Sequence, residues 1–164
     1  MADSKSNIGP AEQGDETEVT REKLASLLND DLSREYQAII AYVVYSQVLK
    51  GAQYMSIAKQ LETHAQEELR HALTIARQID YLGAAPTVQP KPVRVSEDAT
   101  AMLRFDLENE AETIRNYRKR VKQCEAVGEF AIAEHIREIL LDEQDHLIDL
   151  ATALGENAPD LTKG

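Results

Sequence analysis

One set of residues occurs twice in this chain, 75 positions apart, and that repeat limits what the chain can become. The first copy is Glu35, then Glu68 with His71; the second is Glu110, then Glu143 with His146. In both copies 33 positions separate the first Glu from the second, and the second opens a Glu-x-x-His. A tyrosine follows each first Glu by seven residues, Tyr42 and Tyr117. Carboxylates and imidazoles together suit iron, manganese or zinc. A set repeated at fixed spacing predicts a symmetric two-metal site.

The hydrophobic pattern places each member on a helix. Leu28, Leu32, Glu35, Ile39, Tyr42, Ser46 and Leu49 alternate steps of four and three, which is one face of an α-helix. Ile57, Leu61, His64, Glu68, His71 and Ile75 form a second such line. Leu103, Leu107, Glu110, Ile114, Tyr117, Val121 and Cys124 form a third. Ile132, Ile136, Ile139, Glu143, His146, Leu150 and Ala153 form the fourth. All six polar residues therefore fall inside apolar stripes. Glu is rarely buried unless paired, and an unpaired carboxylate taken out of water costs several kcal/mol or neutralises itself. A single Glu in an acidic chain is ordinarily a solvated helix residue, and one Glu-x-x-His is weak. Four Glu and two His on four separate stripes need a common reason, and a pair of cations supplies it.

Glycines and prolines divide the pattern into elements. The first helix is expected from about Thr20 to Lys50, ended by Gly51, and the second from about Gln53 to Leu82, ended by Gly83. Pro86, Pro90 and Pro92 then forbid a helix and predict an extended connection. Ser96, followed by Glu97 and Asp98, reads as the N-cap of a third helix that runs to about Ala126. Val127 and Gly128 separate it from a fourth helix that ends at Gly155. Each helix of ~30 residues is ~45 Å long at 1.5 Å rise per residue. Two short links and one long one predict an all-α four-helix bundle with a single long crossover between the second and third helices.

Residues 1–19 are expected to be a disordered acidic tail, 20–155 the bundle, and 156–164 a short C-terminal tail. A net charge of −11 argues against nucleic-acid binding, because phosphates need a basic surface. There is no apolar run long enough for a transmembrane helix and no signal-peptide pattern at the start, so the expectation is a cytoplasmic protein away from membranes. Cys124, the only cysteine, excludes an intrachain disulfide and any cluster held by several thiolates, and its stripe position predicts a small core residue.

The segments LNDDLSREYQAIIAY, EELRHA, AMLRFDLENEAE and EILLDEQDHLIDL resemble the bacterioferritin type of ferritin-like di-iron carboxylate protein, over roughly residues 20 to 154. The resemblance implies two iron ions per subunit, with manganese or zinc as substitutes. Glu68 and Glu143 would bridge them, Glu35 and His71 would complete one iron, and Glu110 and His146 the other. It implies a ferroxidase that oxidises Fe(II) with O2 or H2O2 and mineralises Fe(III) inside a homo-oligomeric shell. The alternative is a di-iron oxygenase or peroxidase acting on another substrate. The family's haem is held by a Met just after the first bridging Glu. Leu69 stands there and cannot ligate iron, so no haem is expected, with Met55 and Met102 the remaining thioethers near a helix. The family's fifth helix, which helps close a shell of 24, has no counterpart past Leu154, which leaves a shell of 12 as well as one of 24. Rubrerythrin-like relatives carry a further Glu where Thr113 stands here. Starvation-induced mini-ferritins build their site between subunits from other residues.

Three further residues carry expectations. His64, one turn before Glu68, is read as a hydrogen-bonded core residue, with a transient iron ligand as the alternative. Tyr42 and Tyr117 are read either as packing residues with a satisfied hydroxyl or as groups that orient a carboxylate or carry an electron. His135, off the ligand line, is read as structural or at the surface.

Overall fold

The computed structural model describes residues 19–162. Residues 1–18, the bulk of the expected acidic leader, lie outside the described residues, as do 163–164. Four helices form: α1 Arg21–Val48, α2 Met55–Tyr81, α3 Ala99–Ala126 and α4 Phe130–Ala153. There are no strands among the described residues. Within them, no helix is long and apolar enough to cross a membrane.

The helix ends follow local chemistry. Thr20 caps α1, its hydroxyl accepting from the Lys23 amide at 3.1 Å. A short 3-10 turn, Ala52–Tyr54, fills the link to α2, so α2 begins two residues later than expected. The cap of α3 is Asp98, not Ser96. Asp98 accepts from the Ala101 amide at 2.9 Å, and the Ser96 hydroxyl accepts instead from the Asp98 amide at 3.0 Å. Two acids and a serine in succession offer competing caps, and the one nearest the apolar stripe is used. Gly128 ends α3 with a φ of 80°, which lets the Glu129 amide reach back to Cys124 O at 2.8 Å. Without a left-handed residue there, α3 could not turn so tightly into α4.

The connection over 83–98 is extended and is laid along α1. Asn29 bonds Ala85 O and the Thr87 amide, the Lys91 amide reaches Ser33 O at 2.9 Å, Gln37 donates to Pro92 O at 2.6 Å, and the Tyr45 hydroxyl donates to Arg94 O. These partners advance together along both segments, so the crossover climbs the length of the bundle in the direction of α1. Its prolines need no amide partner, and the side chains of Asn29, Gln37 and Tyr45 with the Ser33 carbonyl accept or supply the bonds a strand neighbour otherwise would. The result sets α1 antiparallel to both α2 and α3, and α4 antiparallel to both α2 and α3. The contacts are densest within the pairs α1–α2 and α3–α4. The expected all-α bundle with one long crossover is what forms.

The core falls into two apolar ends with a polar belt between them. One end gathers Tyr45, Leu49, Ile57, Leu61, Leu103 and Leu150; the other gathers Leu24, Leu28, Ile75, Ile79, Ile132 and Ile136. Cys124 is buried in the second. Past α4 the chain turns back. Arg104 binds both carboxylate oxygens of Glu156, Arg118 donates to Leu161 O at 2.8 Å, and Leu161 packs on the first apolar end.

One ion pair is buried near the second apolar end. Arg120 binds Asp31 through Nε at 2.6 Å and Nη2 at 3.1 Å, with the two residues 5 % and 2 % exposed. Burial raises the Asp31 carboxyl, and the guanidinium opposes it. Removing one partner of such a pair leaves an uncompensated charge, at a cost of about 3–5 kcal/mol. Arg120→Met is expected to destabilise by that amount in urea denaturation, and Asp31→Asn combined with Arg120→Met to recover most of it. Equal losses in the single and double variants would contradict this account.

Candidate metal centre

The polar belt holds all six residues singled out by the repeat. Glu35, Glu68, His71, Glu110, Glu143 and His146 are each at most 3 % exposed. Stability alone gives no reason to bury four carboxylates together. Each helix brings its residues there by the alternation of three- and four-residue steps, which points the apolar stripe and its embedded ligands toward the bundle axis.

Their arrangement is two overlapping groups of four. Potential ligand atoms of Glu35, Glu68, His71 and Glu143 lie within 4.8 Å of one another, as do those of Glu68, Glu110, Glu143 and His146. Glu68 and Glu143 belong to both. The distances show how they are shared. His71 Nδ1 stands 3.2 Å from Glu68 Oε2 and 3.3 Å from Glu143 Oε1, while His146 Nδ1 stands 3.0 Å from Glu68 Oε1 and 3.8 Å from Glu143 Oε2. Each central carboxylate thus turns one oxygen toward each histidine. Glu35 Oε2 flanks His71 at 3.4 Å.

Several of these atoms lack partners. Glu35 Oε2, Glu68 Oε1, both Glu143 oxygens and His146 Nδ1 are buried without a hydrogen bond. His146 Nδ1 and Glu68 Oε1 approach to 3.0 Å yet make no hydrogen bond. Ligand atoms that converge with too few protons among them to satisfy every one are what two cations would satisfy. A hard-to-intermediate O,N set with no thiolate fits iron, manganese or zinc.

Around these six stands an outer set of partners. The Tyr42 hydroxyl donates to Glu110 Oε1, and the Tyr117 hydroxyl donates to Glu35 Oε1. Each tyrosine therefore holds the first glutamate of the other half. His71 Nε2 binds Asp142 at 3.0 Å, and His146 Nε2 binds Glu67 at 2.9 Å. With Nε2–H given to a carboxylate, Nδ1 is the ring atom left facing the central glutamates, and a metal there would take its lone pair by displacing the proton it shares with them. The repeat of 75 carries each of these pairs into the other, Tyr42–Glu110 into Tyr117–Glu35 and His71–Asp142 into His146–Glu67, so the centre has an approximate two-fold axis.

Asp142, Glu67 and Asp106 escaped the sequence reading. Asp142 and Glu67 sit next to Glu143 and Glu68 in sequence and off the stripe, where half-exposed acids are commonplace. Their signal was the acidic pair that opens each motif, Glu67-Glu68 and Asp142-Glu143. Asp106 matches Asp31 in the repeat, each followed by Leu and four residues ahead of Glu110 or Glu35. It is 2 % exposed with Oδ2 unpartnered, and burial, then Glu110 and Glu68, push it well above the usual carboxylate range. It lines a narrow cleft between α1 and α3, with Arg34, Gln37, Asn109 and Thr113, that opens on the four glutamates.

The other expected residues are placed as follows. His64 is a hydrogen-bonded core residue, its Nε2 3.1 Å from Asp149 Oδ2 and 3.3 Å from Gln60 Nε2. His135 is half-exposed beside Glu138 at 3.7 Å. Leu69 is on the outer side of α2, 52 % exposed. Ile39 and Ser46, expected on the buried line of α1, are only half-buried, and Tyr45 lies in the core, because that face of α1 is shared with the crossover.

Proton sharing shows what the metal-free pocket must do with its charge. Burial, then Glu68, pushes Glu143 up to about 8; burial, then Glu35, raises Glu68; and burial, then Glu143, raises Glu110 strongly. Burial alone would lower His146, but Glu68 and Glu110 outweigh it and carry it up to about 9. Cations would displace these protons. Second partners tune that exchange, and removing one typically costs roughly 10–100-fold in metal affinity. Asp142→Asn and Glu67→Gln are each expected to weaken Zn(II) binding by that factor, read by competition with a chelating dye. Unchanged affinity in both would mean that the histidines are not oriented for metal.

Comparison with known proteins places the chain among relatives. A family model described as the ferritin-like domain matches residues 25–158. The chain is 26 % identical to a bacterioferritin of Brucella melitensis biotype 1 over 82 % of its own length and 88 % of that protein. It is 30 % identical to a bacterioferritin of Desulfovibrio desulfuricans over 79 % of its length and 73 % of that protein. A crystal structure described as a ferritin-like, diiron-carboxylate protein from Bacillus anthracis superposes with a TM-score of 0.79 at 31 % identity, covering 82 % of this chain and 96 % of that one.

Proposed function

Since the chain belongs to the ferritin-like domain family, we propose that it is a ferroxidase that oxidises Fe(II) at the centre described above and stores the ferric product in a shell of its own copies. The observation that carries this is the sharing of Glu68 and Glu143 between both ligand groups. In this reading each bridges two iron ions, Glu35 and His71 complete one, and Glu110 and His146 the other.

Fe(II) is the substrate. Two Fe(II) each give up one electron. With O2 and two protons the products are two Fe(III) and H2O2; with H2O2 and two protons they are two Fe(III) and two waters. Four carboxylates offset the cationic charge, and burial keeps bulk water from the exchange. Tyr42 and Tyr117 hold the terminal carboxylates in place through the hydroxyl bonds to Glu110 and Glu35. Asp142 and Glu67 fix the ring orientation of the histidines. The cleft between α1 and α3, lined by Asp106, Gln37 and Asn109, opens on the glutamates and is the route this reading gives to Fe(II).

Storage requires a closed assembly, so mass and mineral are measured together. Twelve chains of 18.3 kDa give a particle of about 220 kDa and twenty-four give about 440 kDa. A particle of either mass that keeps tens of ferric ions per chain in solution supports storage. A monomer or dimer that precipitates ferric hydroxide would favour an oxygenase or peroxidase on the same bundle. Leu69 offers no thioether, Met102 is buried at 3 % exposure, and Met55 stands at the start of α2. The visible spectrum of the purified protein is accordingly expected to lack a stoichiometric haem band, and such a band with two thioether ligands would contradict the reading.

A further inference from the structure

The approximate two-fold axis holds for the six central residues and the groups bonded to them, but it fails one helical turn behind them. Asp31 and Asp106 correspond in the repeat, and so do Tyr45 and Arg120. In one half Arg120 binds Asp31 through Nε at 2.6 Å and Nη2 at 3.1 Å, so that carboxylate has its own counter-charge. In the other half Tyr45 stands in the place of Arg120, and its hydroxyl donates to Arg94 O on the crossover. The chain crosses from α2 to α3 once, so no like demand falls on Arg120. Asp106 is left 2 % exposed, with Oδ2 buried and without a hydrogen bond. Tyr45 still neighbours it, since burial and then Asp106 push that hydroxyl up to about 12.

The cleft between α1 and α3 is uneven in the same sense. Arg34 lines it next to Glu35, and its counterpart Asn109 lines it next to Glu110. Arg34 is paired with Glu112 at 2.5 Å. The Glu35 side thus has two guanidinium–carboxylate pairs, whereas the Glu110 side has a neutral amide and the buried carboxyl of Asp106. Arg94 acts on Asp106 from the crossover, but it is engaged by Glu108 at 2.7 Å and by Phe105 O at 3.1 Å. Without metal, burial, then Glu110 and Glu68, favours the neutral form of Asp106. A divalent ion beside Glu110 offsets those two charges and favours the carboxylate, which stands four residues away on the same face of α3. Asp31 adds no such pull at Glu35, because Arg120 already neutralises it.

We propose that the two metal positions are unequal, and that Asp106 makes the Glu110–His146 position the one that takes a divalent ion first. Asp106 is a positioning residue here and not a ligand. It places a negative charge one turn behind Glu110, which strengthens the attraction for a cation on its own side of the centre. The proposal rests on the reading in which two ions share Glu68 and Glu143, and deepens it by giving the centre an order of filling.

Zn(II), which is redox-inert, tests the order of filling without any turnover. Crystals of the metal-free full chain are equilibrated with less than one Zn(II) per chain, and anomalous scattering gives the share held at each position. Calorimetry in solution gives the total. In the parent, roughly 10-fold more zinc is expected at Glu110–His146 than at Glu35–His71, with both positions filled at saturation. Asp106→Asn keeps the shape of the side chain and removes its charge. The two shares are expected to become nearly equal there, with two ions still bound at saturation. Equal shares in the parent, or more zinc at Glu35–His71, would overturn the proposal and leave the dinuclear centre standing. So would a parent-like preference in Asp106→Asn. Zinc bound at neither position would overturn the dinuclear reading itself. If Asp106→Asn does not fold, Asp106→Ala decides by the same comparison of shares, and a preference that survives loss of the carboxyl sinks the proposal.

Discussion

Glu68→Ala and Glu143→Ala are each expected to abolish the fast oxidation of two Fe(II) per chain, slowing it by at least about 100-fold, since loss of an outer partner alone costs roughly 10–100-fold. The reason is positional. Glu68 has Oε2 beside His71 at 3.2 Å and Oε1 beside His146 at 3.0 Å, so its loss strips a ligand from both metal positions. His71→Ala and His146→Ala remove a ligand from one position each. Slower oxidation with one remaining binding position is expected of them. The two Glu variants should fold, because each removes one of four mutually repelling buried carboxylates, whereas the two His variants take the imidazole away from buried carboxylates and are expected to fold with lower stability. Stopped-flow absorbance of the ferric product, with circular dichroism to check folding, separates these outcomes. Parent-like rates in folded Glu68→Ala and Glu143→Ala would mean that neither bridges.

Saturating Zn(II) is expected to raise the melting temperature by roughly 10–20 °C. A ligand confined to the native state adds about 2.7 kcal/mol per site at one hundred times its Kd, and a chain of this size gains roughly 2–4 °C per kcal/mol. The effect should also depend on pH, and its sign is fixed by the shifts in the metal-free pocket. Glu143, up to about 8, and His146, up to about 9, both titrate above their unfolded values. The folded chain thus binds more protons than the unfolded one across that interval. Their contribution favours the metal-free fold below about 4.5 for the carboxyl and 6.5 for the imidazole, and is lost as pH rises toward 9. Protons compete with the metal for the same atoms, so the Zn(II) shift should grow from pH 6 to 9 while the metal-free melting temperature falls. A shift independent of pH, or absent at saturation, would place the metal somewhere other than these side chains.

What the sequence revealed and what it hid have physical causes. The four helices were legible because their stripes keep one period for 19 to 22 residues each, and only Gly and Pro interrupt them. The six residues of the centre were legible because they break the apolar stripes at matched spacing. The pairing of Tyr42 with Glu110, and of Tyr117 with Glu35, was not, because no periodicity states which face of α1 meets which face of α3. Asp142 and Glu67 were hidden for another reason. Each follows the helix period of a half-exposed residue and acquires its role only when the α2–α4 contact sets it against a histidine of the other half. The cap at Asp98 was missed where three adjacent residues all had cap chemistry, and burial of Met102 and Leu103 decided among them.

Anaerobic titration of Fe(II) into the metal-free chain, followed by a pulse of oxygen, tests the shared dinuclear centre most directly. The amplitude of the fast ferric phase is measured against the iron added per chain. Two overlapping ligand groups that share Glu68 and Glu143 predict a sharp break at two Fe(II) per chain. An amplitude that breaks at one, or that rises without any break, would contradict it.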